Sequence, residues 1–152
     1  MLREKINDGL KEAMKGKDPR RVSTLRLVNA AIKNADIESR GQGKEPLADG
    51  DLLGLFQKMI KQRQESVELY DKGGRVDLAT QEREEIDIIR AYLPQQMSEH
   101  EAREAIAAIV KEAGATSVKD MGKVMALLRE RYAGRMDFGK ASAMVKSLLT
   151  GV

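Results

Sequence analysis

The chain has 152 residues, enough for one domain or two small ones, and its 41% apolar and 34% charged residues describe a folded, highly charged protein rather than a disordered one. It has no Cys, which excludes a disulfide framework, a thiol nucleophile and the usual Cys-based zinc sites. The net charge of +3 divides into 18 basic and 17 acidic side chains over residues 1–94, and 9 and 7 over residues 95–152; neither part has the basic excess of a general nucleic-acid binder.

Any RNA contact therefore has to come from a local patch. With 3% aromatics and no Trp, the core is expected to consist of Leu, Ile, Val, Ala and Met. The first ten residues contain no apolar run of the signal-peptide kind. The longest apolar run, Ala105 to Val110, is far too short to span a bilayer. No membrane association is expected, and a cytoplasmic location is the default.

Apolar residues recur at helical spacing throughout, and no period-two alternation lasts long enough for a strand. Leu2, Ile6, Leu10 and Met14 form the stripe of a first helix that ends at Gly16. Asp18-Pro19 supplies an N-cap followed by a residue with helical φ preset. The second helix runs to about Ser39, with Val22, Leu25, Val28, Ile32 and Ala35 inward and Arg26, Asn29, Lys33 and Arg40 on the opposite face. Residues 41–46 read as a flexible loop. Asp49 is the expected cap of a third helix that ends at Gly73-Gly74, where the chain turns through positive φ. Asp77 is the expected cap of a fourth, which Leu93-Pro94 ends.

Beyond Pro94, Ser98 and Glu101 form a capping box for a fifth helix lined by Ala102, Ile106, Ile109, Val110 and Ala113. Thr116 or Ser117 starts a sixth, with Val118, Met121, Val124, Met125 and Leu128 inward. Asp137 caps a seventh, with Ala141, Val145 and Leu148 inward. The expected fold is all-α: a four-helix N-terminal subdomain over residues 1–94, then a three-helix C-terminal subdomain over residues 95–152. No repeat of 20–50 residues and no phosphate-cradling glycine motif is present.

Four features bear on chemistry. Arg63 falls in the middle of the apolar face made by Leu52, Phe56, Met59, Ile60, Val67 and Tyr70. Glu82 and Glu85 fall within the facing stripe of Leu78, Ile86, Ile89 and Leu93. Counted from the Gly-Gly turn at about 1.5 Å per residue, Arg63 and Glu85 lie at the same level, and Glu82 about one turn short. The cluster is either an acid–base site with a shifted carboxylate or a semi-buried ion pair that fixes helix register. The second reading is favoured, because no nucleophile or second base accompanies it.

His100, the one histidine, falls in the first turn of a helix and reads as a surface residue. The acidic run Glu82, Glu84, Glu85 and Asp87 spreads around the helical wheel and reads as a solvated face, so no metal site and no cofactor are expected. Two basic stretches could meet RNA phosphates. One is the face of the second helix that carries Arg26, Lys33 and Arg40, with Arg20 and Arg21 at its start. The other is Lys119, Lys123, Arg129, Arg131, Arg135 and Lys140. No aromatic stacking platform is expected beside either.

The motifs K-Q-R-Q-E-S (61–66), G-G-R-V-D-L-A (73–79), E-x-x-E-I (82–86), Y-L-P-Q-Q (92–96) and D-M-G-K-V-M (120–125), together with L-R-L-V-N-A-A-I-K-N (25–34), resemble the YqeY-like proteins, in the right order over nearly the whole chain. The resemblance implies an all-helical fold in two parts. It also implies a C-terminal part like the tail domain of GatB, a subunit of the tRNA-dependent Asp/Glu amidotransferase. In that enzyme the tail helps hold the tRNA body while a separate cradle carries the chemistry. By resemblance, D-M-G-K-V-M and the basic helix after it would face tRNA. The turn Asp137-Phe138-Gly139 departs from the Asp-Gly often found in the family, which puts a backbone contact there in doubt. The implied function is a non-catalytic tRNA-binding or adaptor module. The alternative is an accessory protein that binds amidotransferase subunits. Carbon–nitrogen ligase activity with glutamine as amide donor is implied only through the shared tail: no amidase motif, phosphate loop or metal site is present to support it. Catalytic residues are therefore expected to be none.

Overall fold

The computed structural model describes residues 1–151. Among them there are seven α-helices, one short 3-10 turn and no strand. The helices are α1 (Leu2–Lys15), α2 (Pro19–Gly41), α3 (Asp49–Lys72), α4 (Val76–Arg90), α5 (Glu99–Glu112), α6 (Met121–Tyr132) and α7 (Phe138–Thr150), with the 3-10 turn at Val118–Asp120. The chain divides into two compact units, Met1–Leu93 and Pro94–Val152.

In the first unit, α3 and α4 form a hairpin, α1 packs on α2, and α2 packs on both members of the hairpin. Its core holds Ile6, Leu25, Val28, Leu52, Phe56 and Ile89, each fully buried. Pro19 opens α2, and Asp18 accepts the Arg21 N–H at 3.2 Å, as its Asp-Pro start implies. The hairpin reverses at Gly74, whose φ of +74° disfavours any residue with a Cβ, and the Arg75 N–H closes the turn on the Tyr70 carbonyl at 2.8 Å.

Several local expectations are corrected. On α1 the buried stripe is Leu2, Ile6, Gly9 and Ala13, while Leu10 is half-buried and Met14 exposed. The helix is turned so that Gly9 faces inward, against Tyr92. Asn29 is half-buried and reaches Asn7 of α1 at 3.2 Å. Ala48, not Asp49, occupies the N-cap position of α3, with no side-chain cap, and its N–H donates to Asp51 at 3.2 Å; Asp49 is the first helical residue. Arg75, not Asp77, occupies the N-cap position of α4, with no side-chain cap hydrogen bond, and Asp77 pairs with the Arg75 side chain at 3.1 Å. α4 itself ends at Arg90, a turn earlier than Leu93. Residues 41–46, expected as a flexible loop, are anchored: the Ser39 hydroxyl donates to the Glu45 carbonyl at 2.6 Å, and the Lys44 N–H to the Ser39 carbonyl at 2.9 Å.

Leu47, just after that loop, is held by an Arg3–Asp36 pair. Arg3 forks onto both Asp36 oxygens at 2.5 and 2.8 Å and also donates to the Leu47 carbonyl at 2.8 Å. The Leu47 N–H returns to Asp36 Oδ1 at 3.0 Å. A planar guanidinium fits a carboxylate in this two-point way. The arrangement ties α1, α2 and the start of α3 at one point.

The second unit packs α5, α6 and α7 against one another around Ile106, Ile109, Val124, Leu128 and Val145. The capping box is formed as expected: Ser98 Oγ accepts the Glu101 N–H, and Glu101 accepts the Ser98 N–H, both at 3.1 Å. The chain ahead of α5 is held to the α6–α7 turn. The Met97 N–H donates to the Arg135 carbonyl at 2.9 Å, and Gln96 donates to the Gly134 carbonyl at 2.5 Å. Asp120 gathers the Thr116 and Ser117 N–H groups at 2.9 and 3.3 Å, so the chain enters α6 through the 3-10 turn. Val118 and Leu148, expected inward, are 44% and 52% exposed.

Candidate functional site

Arg63 and Glu85 meet at the level that counting from the Gly-Gly turn implies. Arg63 Nε donates to Glu85 Oε2 at 3.0 Å, and Glu82 Oε2 lies at 4.0 Å from the same nitrogen. Arg63 Nη1 also donates to the Met59 carbonyl at 3.2 Å, and Gln81 approaches Glu85 Oε1 at 3.4 Å. Glu85 is buried, Arg63 and Glu82 nearly so. Burial, with Glu85's charge beside it, pushes the Glu82 carboxyl above its ordinary range, against the pull of Arg63. The Arg63–Glu85 hydrogen bond joins α3 to α4 across the hairpin, as a register-fixing ion pair would.

The other acidic candidates scatter. Glu84 pairs with Arg20 of α2 at 3.0 Å, and Asp87 approaches Arg90 at 3.9 Å. Among the described residues no cluster of three metal-ligating side chains occurs. His100 is exposed and sits 3.0 Å from Glu104 on the next turn of α5.

The basic candidates fall into three situations. Lys119 is exposed on the 3-10 turn, and Arg26 and Lys33 are exposed on α2. Lys123 and Arg131 already serve α5: Lys123 Nζ donates to the Ala113 carbonyl at 3.2 Å, and Arg131 forks onto Glu112 with both bonds at 2.6 Å. That guanidinium holds the Glu112 carboxyl below its usual range.

The third group surrounds the α6–α7 junction. Arg129 lies over the Phe138 ring at 6.0 Å, and Arg135 over the Tyr132 ring at 5.9 Å. Arg135 Nε also donates to the Gln95 carbonyl at 3.1 Å. Both rings are half-buried. The sequence alone gives no aromatic stacking platform beside these cations. The rings lie three and nine residues away in sequence, and only the reversal of the chain at Gly134 brings them back. Lys140, in the first turn of α7, is exposed, and with Arg135 it borders a groove between α5 and α7. Asp137 Oδ1 accepts the Gly139 and Lys140 N–H groups at 2.8 and 3.2 Å, so these amides are engaged by the chain itself.

Among the described residues no helix is long and apolar enough to cross a membrane.

The model of the Yqey-like protein family matches residues 3–149. Among curated relatives, the chain is 40% identical over 90 residues to "Altered inheritance of mitochondria protein 41, mitochondrial" of Lachancea thermotolerans, covering 59% of this chain and 46% of that protein. It is 38% identical over 88 residues to the protein of the same name from Eremothecium gossypii, with 58% and 46% covered. To that of Saccharomyces cerevisiae it is 34% identical over 90 residues, with 59% and 47% covered. The chain spans about half the length of these relatives. Their names overturn the expectation of a cytoplasmic location, since all three are called mitochondrial. The expectation rested on missing cysteines and a missing apolar leader, and neither distinguishes one aqueous compartment from another. The family match runs through both units and nearly from end to end, and the chain belongs to the YqeY-like family.

Proposed function

We propose that this chain is a non-catalytic RNA-binding or adaptor module, with tRNA the ligand class, and that the second unit is the binding part, as in the tail domain of GatB that its sequence resembles. The observation that carries this reading is the α6–α7 junction. Residues 129–140 hold four basic and two acidic side chains, and one of the acids, Asp137, is engaged in capping α7. Arg129, Arg135 and Lys140 surround two half-buried rings there. Cations at this spacing meet phosphates without needing base contacts, and the rings orient the guanidinium groups. Lys119 is a further exposed cation of the second unit, and Arg26 and Lys33 are exposed separately on α2 of the first. By the names of its relatives the protein works in mitochondria.

The test is a titration of labelled tRNA at about 50 and 200 mM salt. Saturable binding should weaken steeply with salt, and Lys119→Glu with Lys140→Glu should weaken it more than about tenfold at low salt, with the melting temperature unchanged. Arg131→Ala should matter less, because Glu112 already neutralises that guanidinium. Absence of binding at low salt overturns the reading. The apolar groove beside Lys140 favours a second one, an accessory protein that binds an amidotransferase subunit. Recovery of such subunits after nuclease treatment, from a chain that ignores tRNA, would establish it.

A further inference from the structure

α6 carries three cations, Lys123, Arg129 and Arg131, against one acid, Glu130. Arg129 lies over Phe138, but the other two reach the C-terminal end of α5. Glu112 is the last residue of that helix and Ala113 its C-cap. Lys123 Nζ donates to the Ala113 carbonyl at 3.2 Å. Arg131 donates to both Glu112 oxygens, Nη1 to Oε2 and Nη2 to Oε1, each at 2.6 Å. A helix C-terminus carries partial negative charge, which favours cations there. The Glu112 carboxylate adds a full charge, and the Arg131 fork keeps it ionised by holding its carboxyl below the ordinary range.

A carboxylate and a phosphate offer a guanidinium the same pair of acceptor oxygens. Glu112 therefore stands where a phosphate of a nucleic acid would stand. The pair is open to exchange: the Arg131 side chain is 42% exposed and that of Glu112 54%, whereas those of Arg63 and Glu85 are 15% and 8% exposed. Exposed ion pairs contribute little to stability. Ile109, Val124 and Leu128, in one buried cluster, already hold α5 to α6.

We infer that Glu112 is an intramolecular mask on Arg131: it occupies the guanidinium that would otherwise take one more RNA phosphate, and so sets the affinity and the salt dependence of the second unit for RNA. This deepens the RNA reading and rests on it. In the native chain, RNA gains Arg131 only by displacing Glu112. The freed carboxylate then takes up a cation, which offsets the counterion that the phosphate releases. With Glu112 neutralised, the same contact releases a counterion outright and draws on the whole charge of the arginine.

The test is a titration of labelled, unfractionated tRNA with the whole chain at about 50 and 200 mM salt, followed by fluorescence anisotropy. Glu112→Gln should tighten binding about fivefold or more at the lower salt, and steepen the slope of log K against log salt by about 0.7–0.9, the share of one phosphate contact. Glu112→Ala, whose side chain cannot accept from Arg131 at all, should tighten binding at least as much. In an Arg131→Ala background, Glu112→Gln should change the affinity about twofold or less. Glu130→Gln makes the same change of net charge at an exposed neighbouring position and should give less than half the gain. An unchanged melting temperature confirms that each variant keeps the fold. Equal gains with and without Arg131, or an equal gain from Glu130→Gln, would mean that net charge acts at a distance, and would overturn the mask. A native chain that binds tRNA as tightly as both Glu112 variants would overturn it too, and would leave the RNA reading standing. Failure of every one of these chains to bind tRNA at the lower salt would overturn the RNA reading and the mask with it.

Discussion

Gly9 of α1 lies directly beneath the hydroxyl of Tyr92: a Cβ at position 9 would stand 1.9 Å from the Tyr92 oxygen and 3.2 Å from the ring carbon that bears it. Arg21 hydrogen-bonds the Tyr92 side chain, which raises the arginine's own pKa, and its guanidinium reaches Glu12 at 3.7 Å. The tyrosine after α4 is thereby fastened to α1 and α2, and the glycine is the surface it rests on.

Gly9→Ala should therefore destabilise the first unit even though alanine is the better helix former by about 1 kcal/mol. Overpacking costs about 1–3 kcal/mol, and an approach of 1.9 Å falls in the upper part of that range, so after the helix gain the net loss in a urea melt should be about 1–2 kcal/mol. Tyr92→Phe removes the atom that clashes. The double substitution should then be more stable than the sum of the single losses, by about 1 kcal/mol. Additive losses, or a Gly9→Ala protein as stable as the parent, would show that the contact is not tight.

Arg63 and Glu85 form the other fixed point of that unit. Arg63→Ala leaves Glu85 buried without its partner and should cost about 3–5 kcal/mol. Replacing the pair together, Arg63→Met with Glu85→Leu, should recover most of the loss, because two apolar groups of similar size need no counter-charge. Denaturant unfolding of the two variants and the parent makes the comparison; a loss below about 1 kcal/mol for Arg63→Ala would mean that water reaches the site.

Two carboxylates of the same unit give stability of opposite pH dependence. The Arg3 guanidinium and the Leu47 N–H hold the Asp36 carboxyl down at about 2, against an ordinary 3.8. A depressed folded-state value means stabilisation that is complete above the unfolded value and lost as pH falls toward about 2. Asp36→Asn should lower the urea midpoint at neutral pH and flatten its decline on acidification. Glu82 is shifted upward from 4.5, so its charged form is the disfavoured one in the folded state. Its penalty is present at neutral pH and relieved as pH falls through the folded value. Glu82→Gln should raise the midpoint at pH 7 and give no gain near pH 3, below the unfolded value. Equal responses of the two variants at both pH values would refute these assignments.

The same residues show what a pattern can and cannot reveal. Arg63 and Glu85 were legible because the Gly-Gly turn fixes the hairpin and both helices rise equally per residue. The Ser98–Glu101 capping box was legible because its partners are three residues apart. The stripe of α1 was not: Gly9 has no hydropathy to register, and its inward position follows from a tyrosine 83 residues later. The engagement of Arg131 by Glu112 depends on how α6 crosses α5, which no local spacing carries. Leu148 was assigned to the core because spacing assigns every apolar residue on the stripe to it; only the packing of α5 against α7 shows that the stripe is wider than the contact it covers.

Asp137 settles how α7 begins. Its carboxylate accepts from two consecutive amides, Gly139 and Lys140, which have no partner within the helix. A Cβ at Gly139 would lie 3.1 Å from the same oxygen, so the intervening Phe138 leaves room for the cap only if position 139 stays small. Asp137→Ala should cost about 1 kcal/mol, and Asp137→Asn or Asp137→Ser much less, since either side chain can still accept from the amides. Thermal melts followed by circular dichroism, with hydrogen exchange at the Gly139 and Lys140 amides, make the check. Protection of those two amides should fall in Asp137→Ala and persist in Asp137→Ser. Unchanged protection in the alanine variant would mean that the α7 amides are held by something other than this cap.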